Sequence, residues 1–93
     1  MTCLFCNIAA GDIPAKLVYE EKHIIAFHDI APQAPHHIVI IPRKHIATIN
    51  DIQFEDNELI GDMMLVAKKI AADLKMSEDG YRVIMNCNQN GGQ

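Results

Sequence analysis

The order of hydrophobic and polar residues divides the chain into a first half of short extended segments and a second half dominated by one helix. Residues 17–20 and 23–28 have the length and composition of two strands, and the polar pair between them predicts a tight hairpin. Residues 37–41 are apolar without alternation and are bounded by Pro35 and Pro42. Such a run is typical of a strand covered on both faces, so we expect this strand in the middle of a sheet.

Residues 54–76 carry apolar side chains at three- and four-residue spacing, which predicts a long helix that Gly80 stops. Two adjacent stripes are apolar, one formed by Leu59, Met63, Val66, Ile70 and Leu74 and the other by Ile60, Met64, Ala67 and Ala71. Because this arc is wider than one sheet face requires, we expect the helix also to pack against a second subunit. The alternative is a monomeric helix with a few exposed methionines. Residues 4–9 predict a further short helix.

The final part of the chain combines a predicted strand, residues 81–86, with a polar turn rich in glycine and asparagine, residues 87–93. A turn of this kind normally leads to another strand, so we expect a folding unit cut before its last structural element. Gly91-Gly92-Gln93 has a backbone able to approach a phosphate closely, because glycine has no Cβ. A flexible turn is the other interpretation.

Composition limits the classes of function. A chain of 93 residues makes one domain at most, and its net charge of −4 gives no support for a nucleic-acid-binding surface. No apolar run has the length of a membrane span. The odd number of cysteines and the lack of a secretion-signal pattern predict a protein of the reducing cytoplasm. We expect no organic cofactor.

Five histidines, at positions 23, 28, 36, 37 and 45, are candidates for chemistry. Taken singly, each is more often a surface or hydrogen-bonded structural residue. His37 differs because it opens an apolar strand directly after a loop fixed by prolines. A polar ring in that position needs a partner, which can be protein, water or ligand.

Cys3 and Cys6 have the CxxC spacing of two thiolates that share one zinc ion. His45 is the best third ligand in the chain, and no obvious fourth ligand is present. A redox CxxC is expected in a βαβ setting, which this pattern lacks. A zinc site and a pair of inert, half-buried thiols are therefore both open interpretations.

Taken together, the residues resemble the histidine triad (HIT) family, in its Hint branch. The resemblance is carried by Ile13-Pro14, residues 26–38 with their Asp-Ile-x-Pro-Gln-Ala-Pro loop, residues 41–45, residues 80–86 and Gly91-Gly92-Gln93. It implies an α+β fold with an antiparallel sheet, a short N-terminal helix and one long helix, in a homodimer whose sheet extends across the interface. Residues 1–93 are then a single HIT domain lacking its C-terminal strand and tail.

The resemblance also implies a function. Hint-branch members bind purine nucleotides such as AMP or GMP and hydrolyse purine nucleoside 5′-phosphoramidates and related compounds such as AMP-lysine and AMP-NH2. Asp29 resembles the carboxylate that binds the ribose hydroxyls, and His37 resembles a histidine that supports the catalytic centre. The apolar walls of the base pocket correspond to Ile13, Phe27 and Ile30, with Ile38 as a further candidate. Contacts on the phosphate and leaving-group side correspond to Asn86, Gly92 and Gln93.

The chain departs from the family at its defining motif. The expected His-x-His-x-His-x-x does not follow Gly-Gly-Gln within the 93 residues. In the family, the middle histidine attacks the α-phosphorus and forms a nucleotidyl-histidine intermediate, which water hydrolyses. We therefore expect the nucleophile beyond Gln93, and no activity from the 93 residues alone.

Some bacterial-type members hold zinc with a CxxC pair, a histidine placed like His45 and the first histidine of the triad. Cys3 and Cys6 match that pair, so the resemblance favours a structural zinc ion whose fourth ligand is absent from these residues. The alternative function is a catalytically inactive module that binds nucleotides, or a dimerisation unit stabilised by zinc.

Overall fold

A computed structural model describes residues 3–32 and 34–93 of the chain. The chain forms two compact units, Met1–His45 and Ile46–Gln93. As predicted, the architecture is α+β, with a three-stranded antiparallel sheet, a short N-terminal helix and one long helix. Across the described residues, every helix falls short of the length and apolar character that a bilayer span requires.

The first unit contains the short helix and the sheet. Helix α1 (Leu4–Ala9) precedes strands β1 (Leu17–Glu20), β2 (Ile24–His28) and β3 (Ile38–Pro42). The strands lie in the order β1-β2-β3, and both neighbouring pairs are antiparallel. The predicted helix over residues 4–9 and the three predicted strands are therefore confirmed, with ends that move by one residue at most.

The middle strand is β2, and the prediction that β3 occupies this position is wrong. The first four residues of β2 are all buried, whereas four of the five residues of β3 are only partly buried. Both runs are apolar without alternation, so hydrophobicity alone does not tell which strand has two neighbours. The β1–β2 hairpin decides which strand is central, because it places β1 along the edge of β2 that lies opposite β3.

The β1–β2 hairpin is also longer than predicted, since residues 21–23 connect the strands. The Glu21 N–H donates to the Ile24 carbonyl oxygen at 2.9 Å and closes this loop. The pairing register shifts between Leu17 and Tyr19, which marks an irregularity in β1.

The sheet buries different residues on its two faces, because side chains alternate along a strand. On one face Ile25, Phe27 and Ile41 form a core cluster, onto which part of α1 packs. On the opposite face Ile24 and Ala26 are fully buried. β2 is thus buried on both of its faces.

The second unit contains the long helix α2 (Asn57–Asp73). The predicted helix start at residue 54 is instead a 3-10 turn, Phe54–Asp56. The buried Asp56 carboxylate accepts the Gln53 N–H at 2.8 Å and so satisfies a donor that precedes the helix.

Helix α2 ends at Asp73, and Lys75 allows the chain to leave the helix. The prediction that Gly80 stops this helix is wrong. Lys75 has a left-handed φ of +60°. Its N–H donates to the Ala72 carbonyl oxygen at 3.1 Å, and the Met76 N–H donates to that of Ala71 at 2.8 Å. This is the Schellman arrangement, which satisfies the last carbonyls of a helix without glycine.

The two apolar stripes of α2 are buried to different degrees. Val66 and Ile70 of the first stripe are buried, as is Ala71 of the second. Met64 and the neighbouring Leu65 are 48% and 63% exposed. The predicted contact of this helix with a second subunit stays a prediction.

Residues 81–86 do not form the predicted strand. In the described chain they belong to no helix or strand, and Val83, Ile84 and Met85 are 48%, 63% and 51% exposed. A strand needs a neighbour for its N–H and C=O groups, and strand composition does not supply one. The turn that follows contains the 3-10 segment Gln89–Gly91.

Candidate functional site

Asp29 lies directly after β2, at the end of the sheet where β3 begins. Its backbone N–H donates to the His37 carbonyl oxygen at 2.9 Å, which continues the β2–β3 pairing past the strand ends. Its Oδ1 accepts the Ala31 N–H at 2.8 Å, which fixes the side chain against its own loop. The carboxylate is therefore held in place, while its remaining lone pairs stay available as acceptors.

His37 makes a second contact to this carboxylate. Its Nε2 lies 3.3 Å from Asp29 Oδ2, and the two side chains are 33% and 27% exposed. One partner of the histidine is thus the carboxylate predicted to bind ribose. The sequence indicated both residues separately, and it did not pair them.

The residues predicted as walls of a base pocket lie in different environments. Ile13 is half-buried and lines a cavity of about 270 Å³. Phe27 is only 5% exposed and lies beside Phe5, with ring centroids 6.2 Å apart, so it belongs to the core. Ile30 is 98% exposed next to Asp29, and Ile38 is half-buried at the start of β3. Of these residues, Ile13 is the one that lines the cavity.

The same cavity includes residues that the sequence did not indicate. Its apolar lining includes Ile8, Leu17 and Ile25. Its charged lining residues are Glu20 and Arg43, which pair at 2.9 Å. The one sequence signal for this pair was the basic run that follows Pro42. That run does not reveal which acceptors Arg43 reaches.

The glycine-rich turn lies in the second unit and is closed by the Gln93 side chain. Its Oε1 accepts the Asn88 N–H at 2.6 Å, and its Nε2 donates to the Ala47 carbonyl oxygen at 2.9 Å. Gly92 has a left-handed φ of +80°, and the space that a Cβ would occupy holds no atom within 4 Å. The backbone at Gly92 is therefore accessible, and Asn86 is exposed.

Cys3, Cys6 and His45 come together near the other end of β3. Their ligand atoms all lie within 4.8 Å of one another. His45 Nδ1 is 3.0 Å from Cys6 Sγ and 3.4 Å from Cys3 Sγ. Cys3 is the N-cap of α1, and its Sγ accepts the Cys6 N–H at 3.2 Å. Two sulfurs and an imidazole nitrogen are donors that zinc prefers, so these residues fit a tetrahedral zinc site with one position open.

The two thiols of this cluster are unequal. The hydrogen bond with the Cys6 side chain lowers the pKa of Cys3, and the Cys6 backbone N–H and His45 add to this lowering. The same side-chain contact with Cys3 raises the pKa of Cys6. Cys3 is therefore the first to become a thiolate, which is the form that binds metal.

The other histidines lie apart from this cluster. His23 and His36 are exposed, and His28 is the last residue of β2. Among the described residues, none of these three belongs to a group of candidate metal ligands.

Comparison with known proteins identifies the family. A family model of the HIT domain matches residues 10–93. The purine nucleoside phosphoramidase of Escherichia coli (strain K12) is 48% identical over 90 residues, which cover 97% of this chain and 76% of that protein.

Solved structures agree with this match. A HIT family hydrolase from Legionella pneumophila Philadelphia 1 is similar with a TM-score of 0.97 at 55% identity, over 99% of this chain and 82% of that one. A histidine triad protein from Clostridium difficile has a TM-score of 0.95 at 41% identity, over 100% of this chain and 81% of that one. In sequence and in fold, the chain therefore belongs to the histidine triad (HIT) family.

Proposed function

We propose that this protein is a cytoplasmic hydrolase of purine nucleoside 5′-phosphoramidates or related nucleotidyl compounds, such as AMP-lysine and AMP-NH2. The observation that carries the proposal is the Asp29 carboxylate, held by the Ala31 N–H and His37 at the end of β2 in a HIT family chain. The phosphoramidase relative from E. coli supports the substrate class.

In this proposal the ribose of a purine nucleotide binds at Asp29. Its two hydroxyls donate to the carboxylate oxygens, each of which has acceptor capacity beyond its present contact. Because these contacts already restrict the side chain, less conformational freedom is lost when the nucleotide binds. The exposed Ile30, together with the half-buried Ile13 and Ile38, supplies apolar surface for the base, whereas Phe27 lies in the core.

The chemical step has two stages. An imidazole nitrogen attacks the α-phosphorus and expels the amine, and water then cleaves the nucleotidyl-histidine to release the nucleoside monophosphate. The proposed nucleophile is a histidine of the HxHxHxx motif, expected after Gln93, with His37 in support. Contacts that stabilise the phosphate and the leaving group are assigned to Asn86, Gly92 and Gln93.

Cys3, Cys6 and His45 would hold a structural zinc ion. The proposal is supported by the donor types and by ligand atoms that all lie within 4.8 Å of one another. Bound zinc would tie the start of α1 to the segment that follows β3, and the reaction uses no chemistry from it.

We also propose a homodimer that uses α2 and residues 81–86. Both segments expose apolar side chains, among them Leu65 at 63% and Ile84 at 63%. Residues 81–86 have strand composition without a neighbour in the described chain, so a partner's backbone could supply the missing hydrogen bonds.

Release of AMP from adenosine 5′-phosphoramidate, followed by chromatography, tests the proposal. The 93-residue chain is compared with a chain extended by the codons that follow Gln93 in the gene. We expect the extended chain to release AMP and the 93 residues to bind AMP without turnover. Binding without turnover by both chains would favour a nucleotide-binding module, and no binding by either would refute the proposal.

A further inference from the structure

The Arg43 guanidinium donates hydrogen bonds from all three of its nitrogen atoms. Nη1 donates to the Ala9 carbonyl oxygen at 2.7 Å, and Nε donates to that of Glu21 at 2.9 Å. Nη2 donates to the Glu20 carboxylate at 2.9 Å. The Arg43 backbone N–H also donates to the His23 carbonyl oxygen at 2.8 Å. One residue therefore connects the end of α1, the β1–β2 hairpin and the end of β3.

The bond to Ala9 completes the C-terminus of α1. The last carbonyls of a helix have no partner within the helix. The carbonyls of residues 6–8 accept N–H groups of residues 10–13 at 2.9 to 3.3 Å, and the Ala9 carbonyl accepts a hydrogen bond from Arg43. A helix of 6 residues is not stable in isolation, so such contacts determine where it lies.

This short helix carries two of the three candidate zinc ligands. Cys3 is its N-cap and Cys6 lies in its first turn, while His45 is two residues after Arg43. The thiols can lie beside the imidazole only if α1 is held at a fixed distance from the segment that follows β3. Apolar packing of α1 on the core has no direction, whereas the planar fork of an arginine fixes both distance and angle.

We propose that Arg43 is a positioning residue for the Cys3–Cys6–His45 zinc site, and that it sets the distance between the thiols and the imidazole. This inference rests on the zinc site proposed above. The two bonds to backbone carbonyls carry the effect. The ion pair contributes little, because the Glu20 side chain is 55% exposed.

The test is the zinc affinity of the full chain, measured by competition with a chromophoric chelator. Arg43→Ala should weaken zinc binding by about 10- to 100-fold, the range found for groups that orient metal ligands. Arg43→Lys should also weaken it, because one ammonium cannot reach three separated acceptors. Glu20→Ala leaves both carbonyl bonds in place and should stay within about twofold. Lys69→Ala, which breaks an exposed pair with Asp73 in α2, is the control in the second unit.

Amide hydrogen exchange supplies a second readout. In both Arg43 variants the amides of residues 7–10 should exchange faster, while those of β2 keep their protection. If Arg43→Ala does not fold, Arg43→Lys decides, since it keeps the charge and the aliphatic stem. Unchanged zinc affinity in a folded Arg43 variant would overturn the inference and leave the zinc site standing. A wild-type chain that binds no zinc would overturn both.

Discussion

The two ends of the β2–β3 pair carry two different kinds of donor. Where β2 ends, the Asp29 carboxylate and the His37 ring meet directly beside the paired strands. Where β3 ends, the His45 imidazole meets the thiols of Cys3 and Cys6, which lie 42 and 39 residues before it in the chain. The end with Asp29 and His37, called the oxygen end below, is therefore built by strand pairing. The end with Cys3, Cys6 and His45, called the sulfur end below, depends on how helix α1 packs on the sheet. Zinc binding at the sulfur end should therefore be the more sensitive to substitutions away from the ligands.

The largest effect is expected from a change in the strand that both ends share. Ile24 of β2 is fully buried, so Ile24→Ala should lower the free energy of unfolding by about 2–5 kcal/mol, measured by urea denaturation. Ile30→Ala is the matched truncation at a site that is 98% exposed, and it should change stability by less than about 0.5 kcal/mol. Similar losses in the two variants would show that β2 is not the common support.

Cys6→Ser should act on the sulfur end alone. Loss of one of three zinc ligands is expected to weaken zinc binding by about 100-fold or more, because thiolate–zinc bonds supply much of the binding free energy. Cys87→Ser is the control, since Cys87 lies outside the cluster. Chelator competition measures zinc, and calorimetry measures AMP. A matching loss of AMP affinity in Cys6→Ser would show that the two ends are coupled.

A smaller effect is expected at the oxygen end from His37. His37→Ala removes one hydrogen-bonding partner of the Asp29 carboxylate and should weaken AMP binding by about fivefold, equivalent to about 1 kcal/mol. His37→Gln places a donor near the position of Nε2 and should restore part of this loss. Calorimetry at constant pH measures both variants. If glutamine restores nothing, the ring acts through another contact.

Much of the fold could be predicted from the spacing of apolar residues, because the residues within a segment are enough to identify it as a helix or a strand. The three strands and both helices are of this kind. The neighbours of a strand are different, since both β2 and β3 have an apolar run that is compatible with the central position. Residues 81–86 show the same limit, because strand composition does not provide a partner.

The residues of the candidate site also differ in whether the sequence indicates them. The resemblance to the HIT family indicated Asp29, and the CxxC spacing indicated the cysteine pair. Arg43 was not found, because its acceptors at Ala9 and Glu21 are backbone carbonyls, which any residue could provide. Contacts to backbone leave no trace in the pattern of side chains.

The most direct test of the ribose-binding role of Asp29 is a calorimetric titration of the wild type and Asp29→Ala with AMP and with 2′-deoxy-AMP. Asp29→Asn, which keeps one acceptor oxygen, and Asp62→Ala, an exposed carboxylate of α2, serve as controls. We predict that the wild type prefers AMP, and that Asp29→Ala loses about 100-fold or more in AMP affinity together with the preference for the 2′-hydroxyl. Both ribose hydroxyls lose a hydrogen bond to a charged group in this variant, and each such bond contributes about 1.5–3 kcal/mol. An Asp29→Ala chain that binds AMP as tightly as the wild type, and still prefers it over the deoxynucleotide, would contradict the account.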